Sequence, residues 1–246
     1  MADRPGRGLV DHLNELRQRL LICLIAVFAG TVIAFIFAEQ IFHILMVPAG
    51  KVSLVFIDVT EMLGVYMQVS LICGIALAMP VIIYHLIMFV SPGLTSQEKK
   101  YVYIVLPWVF VMFVAGVVFS YYILLPPAIQ FLINFGAGIA SPQIRISNYI
   151  SLIGRLLLAS GLIFEMPVVS TFLARLGIVN WRWMGQQRKW AIIFAFLLGA
   201  IITPTIDPVN QTLIALPLIV LYEISIWLAR IVAHKRVKNS TTLISE

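Results

Sequence analysis

Charge is what this sequence lacks. Only 11% of its 246 residues are Asp, Glu, Lys or Arg, against about 25% in soluble domains. Hydrophobic residues make up 61% and the mean hydropathy is +1.00. One aqueous core cannot hide that much apolar surface, so the fold class expected is an all-α membrane protein. Cysteine is scarce too: Cys23 and Cys73 both fall inside apolar runs, as packed thiols do and disulfides seldom do. The four histidines, His12, His43, His85 and His234, are scattered without metal-ligand spacing. There is no phosphate-binding glycine loop, no HExxH and no GxSxG. No Ser/His pair, aspartate pair or zinc motif falls in an apolar run, which disfavours intramembrane proteolysis. An enzyme, a cofactor, a metal and a nucleic-acid partner are therefore not expected. The first apolar run is too long for a cleavable signal peptide and has no small-residue cleavage site. Internal repeats and low-complexity segments are absent.

What is present is a series of apolar runs, read as one integral-membrane domain over 1–246 with spans at about 20–37, 63–90, 101–125, 149–176, 190–202 and 211–229. Residues 39–62 read as a loop turning at Pro48-Ala49-Gly50-Lys51. Asp58-x-x-Glu61 reads as a capping box opening the second span. Pro126-Pro127 should stop the third, leaving 128–148 as a half-buried loop with a short surface helix. Gly177 to Lys189 reads as a basic loop. The fifth run has thirteen residues, or roughly 20 Å of helix against a bilayer core of about 30 Å. The sixth is also short and is interrupted by Glu223, within reach of water or Arg230. Fourteen of the seventeen Lys and Arg fall before span one, after span two, at or after the end of span four, or after span six. The positive-inside rule then places both termini in the cytoplasm.

A few polar residues stand out. Glu15 and Arg17 lie at the membrane edge on an amphipathic stretch, Asp11 to Leu20, with Glu15 four residues before Arg19. On local evidence, a solvated cap with a positive-inside anchor explains this stretch better than a binding site does, since such flanks are common. Thr95-x-x-Glu98 is a capping-box pattern. Glu165 sits near the centre of span four, where an acid costs about 2.5–3.5 kcal/mol to insert. Pro167 follows and frees the carbonyl of Ile163, four residues back, from its helical partner. Arg155 lies near the start of the same span. Asp207 reads as a turn or N-cap residue, and Gln211 as interhelical glue.

Four segments taken in order resemble one family. They are His12-Leu13-x-Glu15-Leu16-Arg17-x-Arg19-Leu20, Phe89-Val90-Ser91-Pro92-Gly93-Leu94 through Glu98-Lys99-Lys100, Phe164-Glu165-Met166-Pro167, and Thr203-Pro204 with Asp207 and Gln211. Together they resemble the TatC family, the multispanning receptor of the twin-arginine protein translocase, over about residues 9–230. The resemblance implies a concave bundle of six transmembrane helices in the cytoplasmic (inner) membrane. It implies that Glu15 and Glu98, with Arg17, bind the paired arginines of signal peptides on folded clients. Pro48 would shape the first external loop, and Phe89, Pro167 and Asp207 would be structural. Glu165 would line the concave face, and Thr203 with Gln211 would receive single-span TatA- and TatB-type helices. Transport would be driven by the proton-motive force, within a larger complex in which the chain is itself oligomeric. The alternative is a proton- or ion-coupled small-molecule transporter using Glu165. It lacks midplane acids in several spans and the paired broken helices common in transporters.

Overall fold

The computed structural model describes the backbone of residues 7–50, 54–90, 96–134, 143–203 and 208–242, with side chains other than those of 7–11, 90, 96–102, 210 and 234–242. The described chain is helical almost throughout, as a chain must be when its backbone polar groups have no water to bond. Five helical stretches among the described residues are long and apolar enough to cross a membrane: His12–Ile36, Glu61–Phe89, Tyr103–Asn134, Ile146–Leu176 and Gln211–Ala233. Contacts divide the chain into two compact units, Met1–Ile44 with Asp58–Phe110, and Leu45–Ile57 with Val111–Glu246.

In the first unit, α1 (Arg7–Ile36) packs along α3 (Glu61–Val90). The helices meet at glycines. A Cβ on Gly30 would lie 2.7 Å from the Gly74 carbonyl oxygen, and one on Gly74 would collide with Thr31. Thr31 itself folds its hydroxyl back onto the Val27 carbonyl at 2.8 Å, so it adds no polar group to the seam. Helix α3 opens as a capping box does: the Asp58 N–H donates to Glu61 Oε2 at 3.5 Å. The preceding residues are not simply a loop. Helix α2 (Ala38–Met46) follows α1 almost at once and leads into a 3₁₀ turn at Val47–Ala49 containing Pro48. Gly50 closes that turn at φ +62°, a conformation that favours glycine.

In the second unit, a two-residue strand β1 (Leu54–Val55) pairs in parallel with β2 (Ile144–Arg145). The Tyr149 hydroxyl donates to the Leu45 carbonyl at 3.0 Å. Helix α4 (Ser96–Phe119) spans the division between the units and does not stop at Pro126-Pro127. A π-helical turn, Ser120–Leu124, carries it into α5 (Leu125–Asn134). The Leu125 N–H bonds the Ser120 carbonyl, five residues back. That wider turn shifts the register just where the two prolines would leave carbonyls unpaired. Gly161 of α6 (Ile146–Phe164) then admits Phe113 of α4: a Cβ there would lie 2.5 Å from its ring.

The expected basic loop after span four contains a helix. Helix α7 (Met166–Leu176) ends at Gly177, with φ +80°, and α8 (Trp181–Gln186) starts on an Asn180 cap. Met184 of α8 packs with Ala174, Ile226 and Ala229, and the Tyr222 hydroxyl donates to the Met184 carbonyl at 2.8 Å. Helix α9 (Arg188–Ile202) has 15 residues, about 22 Å, and antiparallel α10 (Pro208–Thr242) packs beside it. The sixth run is not short. Its helix runs on past Ala229, and Glu223 does not interrupt it, because the carboxylate turns sideways to meet Arg188.

Candidate functional site

The amphipathic segment at the start of α1 presents Glu15 on an open face. Its carboxylate accepts two hydrogen bonds from the Arg19 guanidinium, from Nε at 2.9 Å and from one terminal nitrogen at 2.5 Å. One helical turn brings the two residues together. His12 lies on the other side, with Nδ1 4.0 Å from Glu15 Oε2. The His12 ring stacks on Phe89 near the end of α3, with centroids 4.5 Å apart. Two of the four sequence segments therefore meet at this end of the unit. Arg17 is exposed on α1. Glu98 lies on the first turn of α4, and its side chain is outside the described residues, as is all of Asp207.

Glu165 marks a break between two helices. Helix α6 ends at Phe164, α7 begins at Met166, and Pro167 sits fully buried just beyond. The proline removes one backbone donor, and the helical pattern lapses at Glu165 alone, which keeps a right-handed helical backbone (φ −73°, ψ −17°). The Glu165 side chain is 3% exposed, and neither carboxyl oxygen has a hydrogen-bond partner among the described residues. Beside Met166 opens a groove of about 880 Å³ walled by Trp183, Gln187, Trp190, Phe194 and Tyr222. Its walls are almost wholly apolar.

The third location is the corner between α9 and α10. Gln211 Nε2 donates to the Phe196 carbonyl at 2.8 Å, across the two helices. The approach requires Gly199, since a Cβ there would lie 2.9 Å from the Gln211 carbonyl oxygen. Thr203 is buried and caps the last turn of α9, its hydroxyl donating to the Gly199 carbonyl at 2.8 Å. Gln211 is thus the interhelical glue that its position suggested, and Thr203 is at the same corner. At the opposite end of α9, Arg188 grips Glu223 through Nε at 2.6 Å and a terminal nitrogen at 3.0 Å. Sequence reading missed this pair. The signal was available: Glu223 is the one acid of its run and Arg188 the first residue of α9.

A profile of the family described as "Sec-independent protein translocase protein (TatC)" matches residues 11–217. The chain belongs to the TatC family. The TatC of Carboxydothermus hydrogenoformans is 39% identical over 237 residues, covering 96% of this chain and 97% of that one. The TatC of Aquifex aeolicus is 39% identical, covering 93% and 97%. A crystal structure described as the twin-arginine translocase receptor TatC superposes with a TM-score of 0.79 at 39% identity, covering 90% of this chain and 99% of that one. A second, in the detergent DDM, gives 0.80 at 40% identity, covering 89% and 99%. As a TatC protein, the chain is a multi-pass membrane component of a protein translocase, not an enzyme, and it works in a complex with other Tat subunits.

Proposed function

We propose that this TatC protein is the signal-peptide receptor of its translocase. The observation that carries the reading is the Glu15 fork. This carboxylate, at the edge of the first apolar run, already holds a guanidinium by two hydrogen bonds. A signal peptide offering adjacent arginines presents the same group, and arginine suits this pairing where lysine does not, because its donors are planar and fixed. Glu98 on the first turn of α4 supplies the second carboxylate, and Arg17 orients the site. Thr203 and Gln211 form the polar corner for the single-span TatA- and TatB-type helices. Clients cross folded, driven by the proton-motive force. The chain crosses the cytoplasmic membrane six times, with both termini in the cytoplasm, and functions as an oligomer. Reading Glu165 as the relay of an ion-coupled transporter has less support, because Glu223 is engaged by Arg188 and no chain of acids leads away from Glu165 among the described residues.

The test is a double-mutant cycle between protein and peptide. Glu15→Gln and Glu98→Gln should each weaken binding of a twin-arginine peptide by roughly ten- to 150-fold, the range of a charged hydrogen-bonded contact. Replacing the peptide's arginines by lysines should cost much less against the double mutant than against the parent. An equal cost in both backgrounds would show that the arginines are read elsewhere.

A further inference from the structure

The structure holds a second cation whose position the translocase reading does not use. Arg155 lies on α6, inside the apolar stretch Ile146–Leu176. That stretch has 31 residues, about 46 Å of helix against a hydrocarbon core of about 30 Å. With the stretch centred on the core, Arg155 begins about 6 Å below the edge nearer the start of α6. A guanidinium cannot be left there without an anion or a polar layer to reach. It is exposed, and its Nε donates to the Ser151 carbonyl at 3.1 Å, one turn toward the helix start. The side chain therefore climbs toward the nearer interface, the direction in which helical side chains lean and long basic ones snorkel. A guanidinium has five N–H donors, and this hydrogen bond uses one of them. No carboxylate pairs with Arg155 among the described residues.

Beside it, between α5 and the first turns of α6, is a groove of about 420 Å³. Ile129, Leu132, Ile144 and Leu152 form its apolar walls, and Arg155 and Asn148 its polar points. Asn148 is exposed two turns above Arg155, nearer the interface. The volume lies within the span of small-molecule sites, about 300–1,000 Å³. The anion always present at the height the Arg155 tip reaches is the phosphate of the lipids themselves.

We infer that Arg155 and this groove form a binding site for one phospholipid of the leaflet at which α6 begins. The phosphate sits on the guanidinium, the polar headgroup side faces Asn148, and an acyl chain lies against Ile129, Leu132 and Leu152. A protein segment would have to bring its own acid to that depth. A phospholipid brings the charge and the apolar chain together.

The experiment uses the full chain in lipid nanodiscs doped with phosphatidylglycerol carrying a diazirine on one acyl chain. After irradiation, adducts are mapped by mass spectrometry to peptides of α5 and α6. Labelling around Leu132 and Leu152 should fall by at least about tenfold in Arg155→Gln, the scale of one charged hydrogen-bonded contact. Arg155→Lys, which keeps a cation, should retain most of it, and so should Arg182→Gln, a control outside the groove. A diacylglycerol with the same diazirine, lacking phosphate, should label the groove weakly in every variant. Equal labelling by diacylglycerol, or undiminished labelling in a folded Arg155→Gln protein, would overturn the inference. So would loss of the groove adduct in native membranes together with disulfide capture of another protein at a Leu132→Cys site.

Discussion

Glu15 is engaged before any ligand arrives. Under the receptor reading, an incoming arginine has to displace Arg19 or share the carboxylate with it. The internal pair is partly exposed, with 19% of the Arg19 side chain and 38% of that of Glu15 accessible. Such a pair contributes about 0.2–1 kcal/mol, so its release costs little. Arg19→Gln should therefore tighten binding of a twin-arginine peptide, by up to about fivefold. Titration calorimetry of the purified chain checks this. Weaker binding would instead make Arg19 part of the scaffold that aims Glu15. Glu165 poses the opposite case, a buried acid with no hydrogen-bond partner among the described residues. Leaving a buried polar group unsatisfied costs about 1–3 kcal/mol. Glu165→Met keeps the length and removes the cost, so it should raise the melting temperature in detergent by about 2–4 °C per kcal/mol recovered. A lower melting temperature would show that the carboxyl finds a partner in the membrane. The sequence marked Glu165 as costly because of where it sits in the run. It could not show Arg19 lying across Glu15, because an i,i+4 spacing fixes proximity and not which rotamers meet.

Elements were legible where their signal was local. The capping box before α3 and the break at Pro167 were both read from a few adjacent residues, and both are in the structure. What was missed depended on distant packing. Helix α8 is six residues, too short for a periodic pattern, and it exists because Met184 packs against Ala174, Ile226 and Ala229. The passage through Pro126-Pro127 depends on a π turn, which no residue type announces. Helix α9 is the element whose length carries a consequence. At 15 residues it falls about 8 Å short of a bilayer core. It is tied to α10 at its start, by Arg188 to Glu223, and near its middle, by Gln211 to the Phe196 carbonyl. It cannot relieve the mismatch by sliding, so the bilayer beside it should thin. If thinning eases the passage of folded clients, inserting four leucines after Phe194 should reduce export of a twin-arginine client and leave peptide binding intact. Unchanged export from that variant would remove thinning from the mechanism.

At the scale of the whole molecule, the question is whether α9 crosses at all, since parity decides where the tail lies. Among the described residues, five stretches meet the length and hydropathy of a span without α9, and five crossings would put the termini on opposite sides. Two observations favour a sixth. The Arg188–Glu223 pair sets the basic start of α9 beside the C-terminal half of α10, and the Gln211 bond sets its later turns beside the start of α10. The two helices are thus antiparallel, and their basic ends, Arg188-Lys189 and Arg230 with Lys235, Arg236 and Lys238, belong to the same side. A hairpin whose two positive ends share one face agrees with the positive-inside rule only if both arms cross. In a variant lacking Cys23 and Cys73, single cysteines placed at Gly138 and at Ser240 report the two sides. An impermeant thiol reagent applied to intact cells should label position 138 and spare position 240. Labelling at 240 with none at 138 would invert the orientation. Labelling at both would leave α9 uncrossed, and its shortness would then have nothing to do with the thickness of the bilayer.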